Sequence, residues 1–239
     1  MNTSASTFDL AAREYSQQLD QGISLSGESA DFFVEHRVRL LATYLQTHTE
    51  IRRPRVLDFG CGIGNATEAL KEQLDACEVM GLDCSSESIR LAQQRFANSA
   101  YRWTVGGSEI APSSLDVVYT SGVFHHIEPA QRQVELSRIF QWLKPGGVLA
   151  LFENNPWNPA THWVMSRIPF DHDAQCLSPW ETRRRISQAG LTPQLTRSLF
   201  FFPRCLRYLR PLEPLLSPLP MGAQYVVLAR RSRDLPSGN

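Results

Sequence analysis

Three glycines lie close together where an apolar run gives way to a helical pattern. The stretch VLDFGCGIGNAT, residues 56–67, contains them as Gly60, Gly62 and Gly64. Glycine tolerates positive φ angles and lets a ligand approach the backbone. The third glycine comes one residue earlier than in the dinucleotide pattern G-x-G-x-x-G, and Asn65 takes its place. The stretch therefore predicts a ligand-binding loop of another kind.

Two acids accompany this loop. Asp58 precedes it by two residues, where a carboxylate would repel a pyrophosphate but suit a positively charged ligand. Asp83 comes nineteen residues after Gly64 and ends the next apolar run. An acid at that place can accept hydrogen bonds from both hydroxyls of a ribose. The two acids together favour a cationic nucleoside ligand over a dinucleotide.

Short apolar runs alternate with helical patterns along the chain. The predicted strands cover 55–60, 78–83, 101–105, 115–120, 146–153, 195–202 and 224–231, and helical periodicity covers 31–49, 65–75, 86–98, 130–143 and 179–189. Continuous apolar strands separated by helices predict an α/β fold with a doubly wound, mostly parallel seven-stranded sheet. Only a proline-rich connection, 203–220, joins the last two strands, so we expect them to pair antiparallel.

The bulk composition is that of one globular domain. The chain has 239 residues, of which 42% are apolar and 20% charged. We expect a single domain over 1–239, with an N-terminal lid (1–30), a ligand-binding core (31–153) and a second-substrate region (154–239). Charge is uneven, at about −5 for 1–150 and about +5 for 151–239. This pattern indicates either an anionic partner or a solvated basic face.

The cysteines and the N-terminal sequence indicate in which cellular compartment we expect the protein. The five cysteines are odd in number and form no C-x-x-C pair, which disfavours a disulfide framework or zinc site and favours a reducing compartment. The polar N-terminus has no signal-peptide pattern, and no run reaches the ~18 apolar residues of a membrane span. We expect a soluble, cytoplasmic protein.

Four motifs in one order carry a family resemblance. VLDFGCGIG, GLDCS, LDVVYTSGVFHHI and LKPGGVLALFE, all within 31–153, resemble those of class I S-adenosylmethionine-dependent methyltransferases of the small-molecule branch. The resemblance implies a Rossmann-like methyltransferase fold with an antiparallel last strand. It also implies S-adenosylmethionine as cofactor, S-adenosylhomocysteine as product and a small-molecule acceptor.

The resemblance also implies roles for single residues. Asp58 and Cys61 belong to the cofactor loop, whose glycines border the methionine part of the cofactor. Asp83 would hold the ribose, Cys84 would flank the adenine, and Ser121 and Gly122 would lie beneath the sulfonium. Family members often have an acid where Gly107 stands, and Ser108 or Glu109 is the alternative contact to the adenine amino group.

Methyl transfer from a sulfonium requires alignment and, for a hydroxyl or ammonium acceptor, removal of a proton. His125 and His126 follow the fourth predicted strand, and histidine accepts protons near neutral pH. Neighbouring loop side chains usually diverge, so we expect at most one of them to be the catalytic base. The alternative is a capping or cofactor-packing role.

The stretch FENNPWNPATHW follows the fifth predicted strand on the same rim. We expect it to form an acceptor wall with Glu153, Asn154, Asn155, Trp157 and His162; the alternative is a simple turn. Tyr15 in the leader is a candidate lid contact. The NNPW tetrapeptide is similar to one in DNA adenine methyltransferases, but theirs follows the fourth strand. With no basic run interleaved with aromatics in 1–150, we expect no nucleic-acid partner.

Residues 199–220 are apolar, rich in proline and arginine, and predict either a cover over the acceptor pocket or a peripheral contact with a membrane or lipid. The cluster Asp171-His172-Asp173 could bind a metal, but metal-using relatives place their carboxylates elsewhere, so we expect none. The predicted function is methyl transfer to a small molecule, most simply at oxygen. The alternatives are N- or C-methylation and a catalytically silent cofactor-binding scaffold.

Overall fold

A computed structural model describes residues 26–97, 101–167 and 174–233. Its strands are β1 (Arg55–Phe59), β2 (Glu78–Asp83), β3 (Tyr101–Val105), β4 (Leu115–Ser121), β5 (Leu143–Asn154), β6 (Leu191–Leu199) and β7 (Gln224–Arg231). Its helices are α1 (Ala30–His48), α2 (Thr67–Gln73), α3 (Ser86–Arg95), α4 (Arg132–Trp142), α5 (Pro159–Met165), α6 (Pro179–Gln188) and α7 (Glu213–Leu216), with a 3₁₀ helix at Arg204–Leu212. Most of the predicted lid segment, including Tyr15, lies outside the described residues.

The seven strands form one sheet in the order β3-β2-β1-β4-β5-β7-β6. The first five are parallel, whereas β7 runs antiparallel to both β5 and β6. The predicted fold class is therefore confirmed, including the antiparallel last strand. The sixth strand lies earlier than the predicted 195–202, because Phe200 has a φ of 61° and turns the chain out of the sheet.

Helices cover both faces of the sheet, which explains the continuous apolar strands. Leu57, Val118 and Leu149 point into one buried cluster. Their sequence neighbours Val56, Val117 and Val148 point into the cluster on the opposite face. Alternate residues of each strand thus meet a different helical layer, so both must be apolar.

The ligand edge of the sheet follows from its topology. The chain first builds outward from β1 to β3 and then returns to β4 on the other side of β1. The loops that leave β1 and β4 at their carboxyl ends therefore diverge and leave a crevice between them. Serine side chains cap the helices near this edge, such as Ser85, which accepts from the Ser88 N–H. Within the described residues, no helix is long and apolar enough to cross a bilayer.

Candidate active site

A cavity of about 450 Å³ opens at the carboxyl ends of β1, β4 and β5. Helix α1, the glycine loop, the loop after β4, helix α5 and the segment after β6 all contribute to its wall. Of the residues predicted at the cofactor, those that border it are Asp58, Gly60, Cys61, Gly62, Ser121 and Gly122. The crevice predicted from topology is thus one continuous cavity.

The three loop glycines are required for different reasons. All have positive φ, at 75° for Gly60, 54° for Gly62 and 81° for Gly64. A Cβ on Gly60 would lie 2.3 Å from the Val123 side chain, and one on Gly64 would lie 2.7 Å from the Trp103 ring. A Cβ on Gly62 would meet nothing within 4 Å. Two glycines therefore allow close packing, and Gly62 leaves space for a ligand against the backbone.

Asp58 is a buried carboxylate inside this cavity, and none of the described residues donates a hydrogen bond to its Oδ2 atom. Burial, with a smaller contribution from the charge of Asp83, raises its pKa to about 7. An unpartnered buried carboxylate is costly unless a ligand supplies a donor or a positive charge. This orphaned oxygen fits the ammonium group of an amino acid ligand.

Arg37 is a site residue that the sequence reasoning missed. It lies on α1, borders the cavity and donates from Nε to the Gln224 side chain at 3.0 Å. Its guanidinium carbon lies 6.0 Å from the ring centroid of Phe33 and 5.9 Å from that of Phe200. No carboxylate of the described residues forms an ion pair with it, so it can bind an anion. The available sequence signal was its spacing, because Arg37 lies three residues after Val34 and four before Leu41 and so shares a helix face with them.

Asp83 has a more structural position than predicted. Its Oδ2 accepts from the Gly62 N–H at 2.8 Å, and its Oδ1 accepts from the Ser85 N–H at 2.9 Å. Burial raises the pKa of this carboxyl, and the hydrogen bonds that it accepts from Ser85, Gly62 and Cys84 oppose that effect. Asp83 therefore ties the glycine loop to the start of α3. The contact of Asp83 with the ribose hydroxyls stays a prediction.

The remaining predicted adenine-side residues do not border the cavity. Cys84 and Ser108 are exposed at the surface. Gly107 has a φ of 71°, and a Cβ there would lie 2.3 Å from a Leu82 methyl group. Its glycine therefore has a packing role of its own, and the adenine contacts stay predictions.

The two histidines lie together at the cavity, contrary to the expectation that they diverge. His125 and His126 both border it, with ring centroids 4.1 Å apart. His125 is buried, and its Nδ1 lies 2.6 Å from the Oε2 of Glu153. The Nε2 atom is on the opposite side of the same ring. This pairing distinguishes His125 from its neighbour.

Glu153 was predicted in the acceptor wall, but it lies beneath the loop instead. Its Oε1 accepts from the backbone N–H groups of Val123 and Phe124, at 3.1 and 2.7 Å. Burial alone would raise its pKa, but the charge and hydrogen bond of His125, the Phe124 N–H and the charge of His126 outweigh that and lower it. The carboxylate is therefore ionised at neutral pH and holds the loop and imidazole in place.

The rest of the predicted acceptor wall is mostly a turn. Asn154 borders the cavity. Asn155 is fully buried outside it, where its amide donates to the backbone oxygens of Pro220 and Gly222 and its Oδ1 accepts from the Trp157 N–H. Trp157 is 45% exposed, and the Nε2 of His162 lies 2.6 Å from the Pro156 oxygen. The structure thus does not bring Asn155, Trp157 or His162 to the cavity, because the turn directs their side chains elsewhere.

The segment after β6 forms the opposite wall. Phe200, Phe201, Phe202, Pro203 and Arg210 border the cavity. The ring of Phe200 packs on that of Phe33 with centroids 4.8 Å apart. The start of 199–220 thus lies in the cavity wall, and its role as a cover over an acceptor stays a prediction. Among the described residues no cluster of side chains could hold a metal ion, and the Asp171–Asp173 cluster lies outside them.

The strand order and the glycine-loop cavity define a doubly wound α/β protein that binds its ligand at the switch point of the sheet. Residues 57–149 match the family described as a methyltransferase domain. The chain is 30% identical over 136 residues to trans-aconitate 2-methyltransferase of Rhodopseudomonas palustris (strain BisA53), covering 57% of this chain and 49% of the relative. It is also 30% identical over 142 residues to the enzyme of that name from Delftia acidovorans, covering 57% and 51%.

A solved S-adenosylmethionine-dependent methyltransferase from Archaeoglobus fulgidus has the same fold, with a TM-score of 0.62 and 18% identity over 84% of this chain and 95% of that chain. These similarities confirm the resemblance to class I S-adenosylmethionine-dependent methyltransferases that the four motifs predicted. It spans about half the length of the curated relatives it matches first.

Proposed function

We propose that this protein transfers the methyl group of S-adenosylmethionine to an oxygen atom of a small-molecule acceptor. The observation that carries the proposal is the buried His125–Glu153 pair, whose histidine borders the same cavity as the glycine loop. Such a pair is suited to removing a proton from a hydroxyl group as it is methylated.

Several residues fit the methionine part of the cofactor. The unpartnered Oδ2 atom of Asp58 suits its ammonium group, and the Arg37 guanidinium suits its carboxylate. The open face of Gly62 admits it against the backbone. When bound, the cofactor supplies a methyl group on a positively charged sulfur, so the protein needs no nucleophile of its own.

The histidine pair supplies the base. Because Glu153 is ionised, its Oε2 can only accept a hydrogen bond, so Nδ1 of His125 must be the donor. The ring proton is then on Nδ1, and Nε2 is the basic atom. Nε2 then takes the hydroxyl proton of the acceptor, and Glu153 stabilises the imidazolium that forms. Because Glu153 is also fixed by two backbone N–H groups, the imidazole is held in one orientation before substrate binds.

The curated relatives support an acceptor that is a small molecule. They are named for trans-aconitate, a carboxylic acid, and the match covers about half of their length. We propose a small acceptor whose oxygen is methylated and whose body packs against Phe33, Phe200 and Asn154 on the acceptor side of the cavity. A cytoplasmic setting is consistent with the five cysteines, all of which lie in the described residues and none of which forms a disulfide there.

Acceptor pools screened with isotopically labelled cofactor, followed by mass spectrometry, would identify the product and the methylated atom. With an acceptor in hand, His125→Asn should lower kcat by about 10²–10⁴-fold while the dissociation constant of S-adenosylhomocysteine changes little. His162→Asn is the matched control, because His162 lies outside the cavity. Equal activity of the two variants would refute the role of His125.

Glu153→Gln tests the pairing itself. Its amide oxygen would take the place that accepts from Val123 and Phe124, so its NH₂ group would face Nδ1 of His125. Nδ1 must then accept, which moves the ring proton to Nε2 and removes the basic atom. We expect a loss of turnover comparable to that of His125→Asn with cofactor binding retained. A product methylated on nitrogen or carbon would contradict the proposed oxygen acceptor.

A further inference from the structure

A group of apolar side chains points to solvent beside the cavity. Five of the ten large apolar side chains that the described residues expose lie between 208 and 221: Tyr208, Leu212, Leu215, Leu219 and Met221. Leu215 is 77% exposed and Tyr208 is 70% exposed. Such clustering of exposed apolar residues usually marks an interaction surface.

The backbone holds these side chains outward. Neither the 3₁₀ helix Arg204–Leu212 nor α7 contributes a buried residue. The segment is nevertheless anchored, because Glu213 accepts from the backbone N–H groups of Phe201 and Phe202, at 3.2 and 3.1 Å. The Ser198 N–H also donates to the Ser217 oxygen at 2.7 Å. The apolar side chains are therefore presented on an ordered scaffold.

Two tryptophans extend the same surface. Asn158 donates to the Met221 oxygen at 2.7 Å, which joins the turn after β5 to this segment. Trp157 and Trp163, on either side of Asn158, are 45% and 46% exposed. The guanidinium carbon of Arg167 lies 4.0 Å from the Trp163 ring centroid. We name the surface formed by Trp157, Trp163, Arg167, Arg204, Arg207, Tyr208, Leu212, Leu215, Leu219 and Met221 the outer face.

The charge of the outer face has one sign. Residues 155–167 and 200–221 contain four arginines and one acid, Glu213. Glu213 is occupied by the backbone, and Arg210 is paired with Glu28 at 2.8 Å. Arg167, Arg204 and Arg207 are left to make the surface positive. Leucine with tryptophan, tyrosine and arginine is the composition of protein surfaces that lie in the head-group region of anionic membranes.

We propose that the outer face docks on the surface of a bilayer containing anionic lipids. Leu212, Leu215 and Leu219 would enter the head-group boundary, while Arg204 and Arg207 would contact lipid phosphates. The same elements line the cavity, through Trp163 on one side and Phe202 and Pro203 on the other. Docking would therefore turn the mouth of the cavity toward the lipid. This surface does not depend on the proposed reaction.

The test is cosedimentation of the full chain with vesicles of phosphatidylcholine alone or mixed with phosphatidylglycerol. We expect binding to the mixed vesicles that weakens with salt and little binding to the neutral ones. Leu215→Asp should weaken vesicle binding by about tenfold or more, and Arg207→Gln by about fivefold. Val134→Asp and Arg184→Gln are matched controls, since both residues are exposed elsewhere on the protein.

S-adenosylhomocysteine affinity, measured on every variant, reports whether the fold and the cofactor site are intact. Loss of vesicle binding with this affinity unchanged therefore concerns the outer face alone and does not depend on the proposed methyl transfer. Absence of binding to the anionic vesicles would overturn the proposal, as would equal losses in the control variants. A dimer seen by light scattering and broken by Leu215→Asp, without vesicle binding, would show instead that a second copy covers this face.

Discussion

Replacing Asp58 by Asn should stabilise the ligand-free protein at neutral pH and above while weakening its cofactor site. The folded-state pKa of Asp58 is about 7 against an ordinary value of 3.8, mainly because the carboxyl is buried. The native protein therefore binds this proton more tightly than the unfolded chain does. Its free energy of unfolding must then fall as the pH rises from about 4 to about 7.

The magnitude follows from this difference. Each unit of pKa difference corresponds to about 1.4 kcal/mol. Between about pH 5 and about pH 8, where about two units of this difference take effect, the wild type should lose about 2.6 kcal/mol relative to Asp58→Asn, or about 5–10 °C in Tm for a chain of this size. Comparing the two proteins at both pH values cancels the cost of the new amide, which is the same at each pH.

The assay is thermal or urea unfolding without ligand, with S-adenosylhomocysteine titrations at the higher pH. Because Asp58→Asn removes a hydrogen bond between charged groups, it should lower the affinity for S-adenosylhomocysteine by about ten- to a hundredfold. Asp116→Asn is the matched control, because Asp116 already accepts from the Arg55 N–H and from Lys144. If the stability difference between Asp58→Asn and wild type were the same at both pH values, the assignment of a buried, proton-binding Asp58 would be refuted.

Three further outcomes are expected. Asn155→Ala should lower the free energy of unfolding by about 1–3 kcal/mol, because it removes three hydrogen bonds, including the buried one to the Gly222 oxygen, and should leave acceptor kcat/KM within about threefold; a selective loss of kcat/KM would show that Asn155 contacts the acceptor. Gly62→Ala should fold but bind S-adenosylhomocysteine more weakly in calorimetry. Gly60→Ala should lower the melting temperature, because its new Cβ would lie 2.3 Å from the Val123 side chain; equal melting temperatures of the two variants would contradict this. Asp83→Ala should weaken the same ligand by about 1.5–3 kcal/mol, since it removes the proposed ribose acceptor and the anchor of the loop; unchanged affinity would exclude both roles.

Local patterns in the sequence determined the elements and the family. Strands buried on both faces must be continuously apolar, so β1 to β5 could be located from composition alone. The glycine loop was equally readable, because positive φ and close packing exclude other residues at Gly60 and Gly64. The strand order, with β7 inserted between β5 and β6, depends on backbone hydrogen bonds that any sequence can make.

The tertiary structure alone decided what the side chains at the sheet edge contact. Glu153 and Asn155 are two residues apart at the end of β5, yet one holds His125 and the other closes a turn against Gly222. Arg37 lies more than twenty residues before the glycine loop that borders the same cavity, so no local motif includes it. Beyond the end of a strand, side chains no longer alternate between the two faces of the sheet. Their direction then depends on contacts with residues that are distant in sequence. The cofactor loop could therefore be predicted from the sequence. The His125–Glu153 pair and the place of Arg37 in the cavity wall could be identified only from the fold.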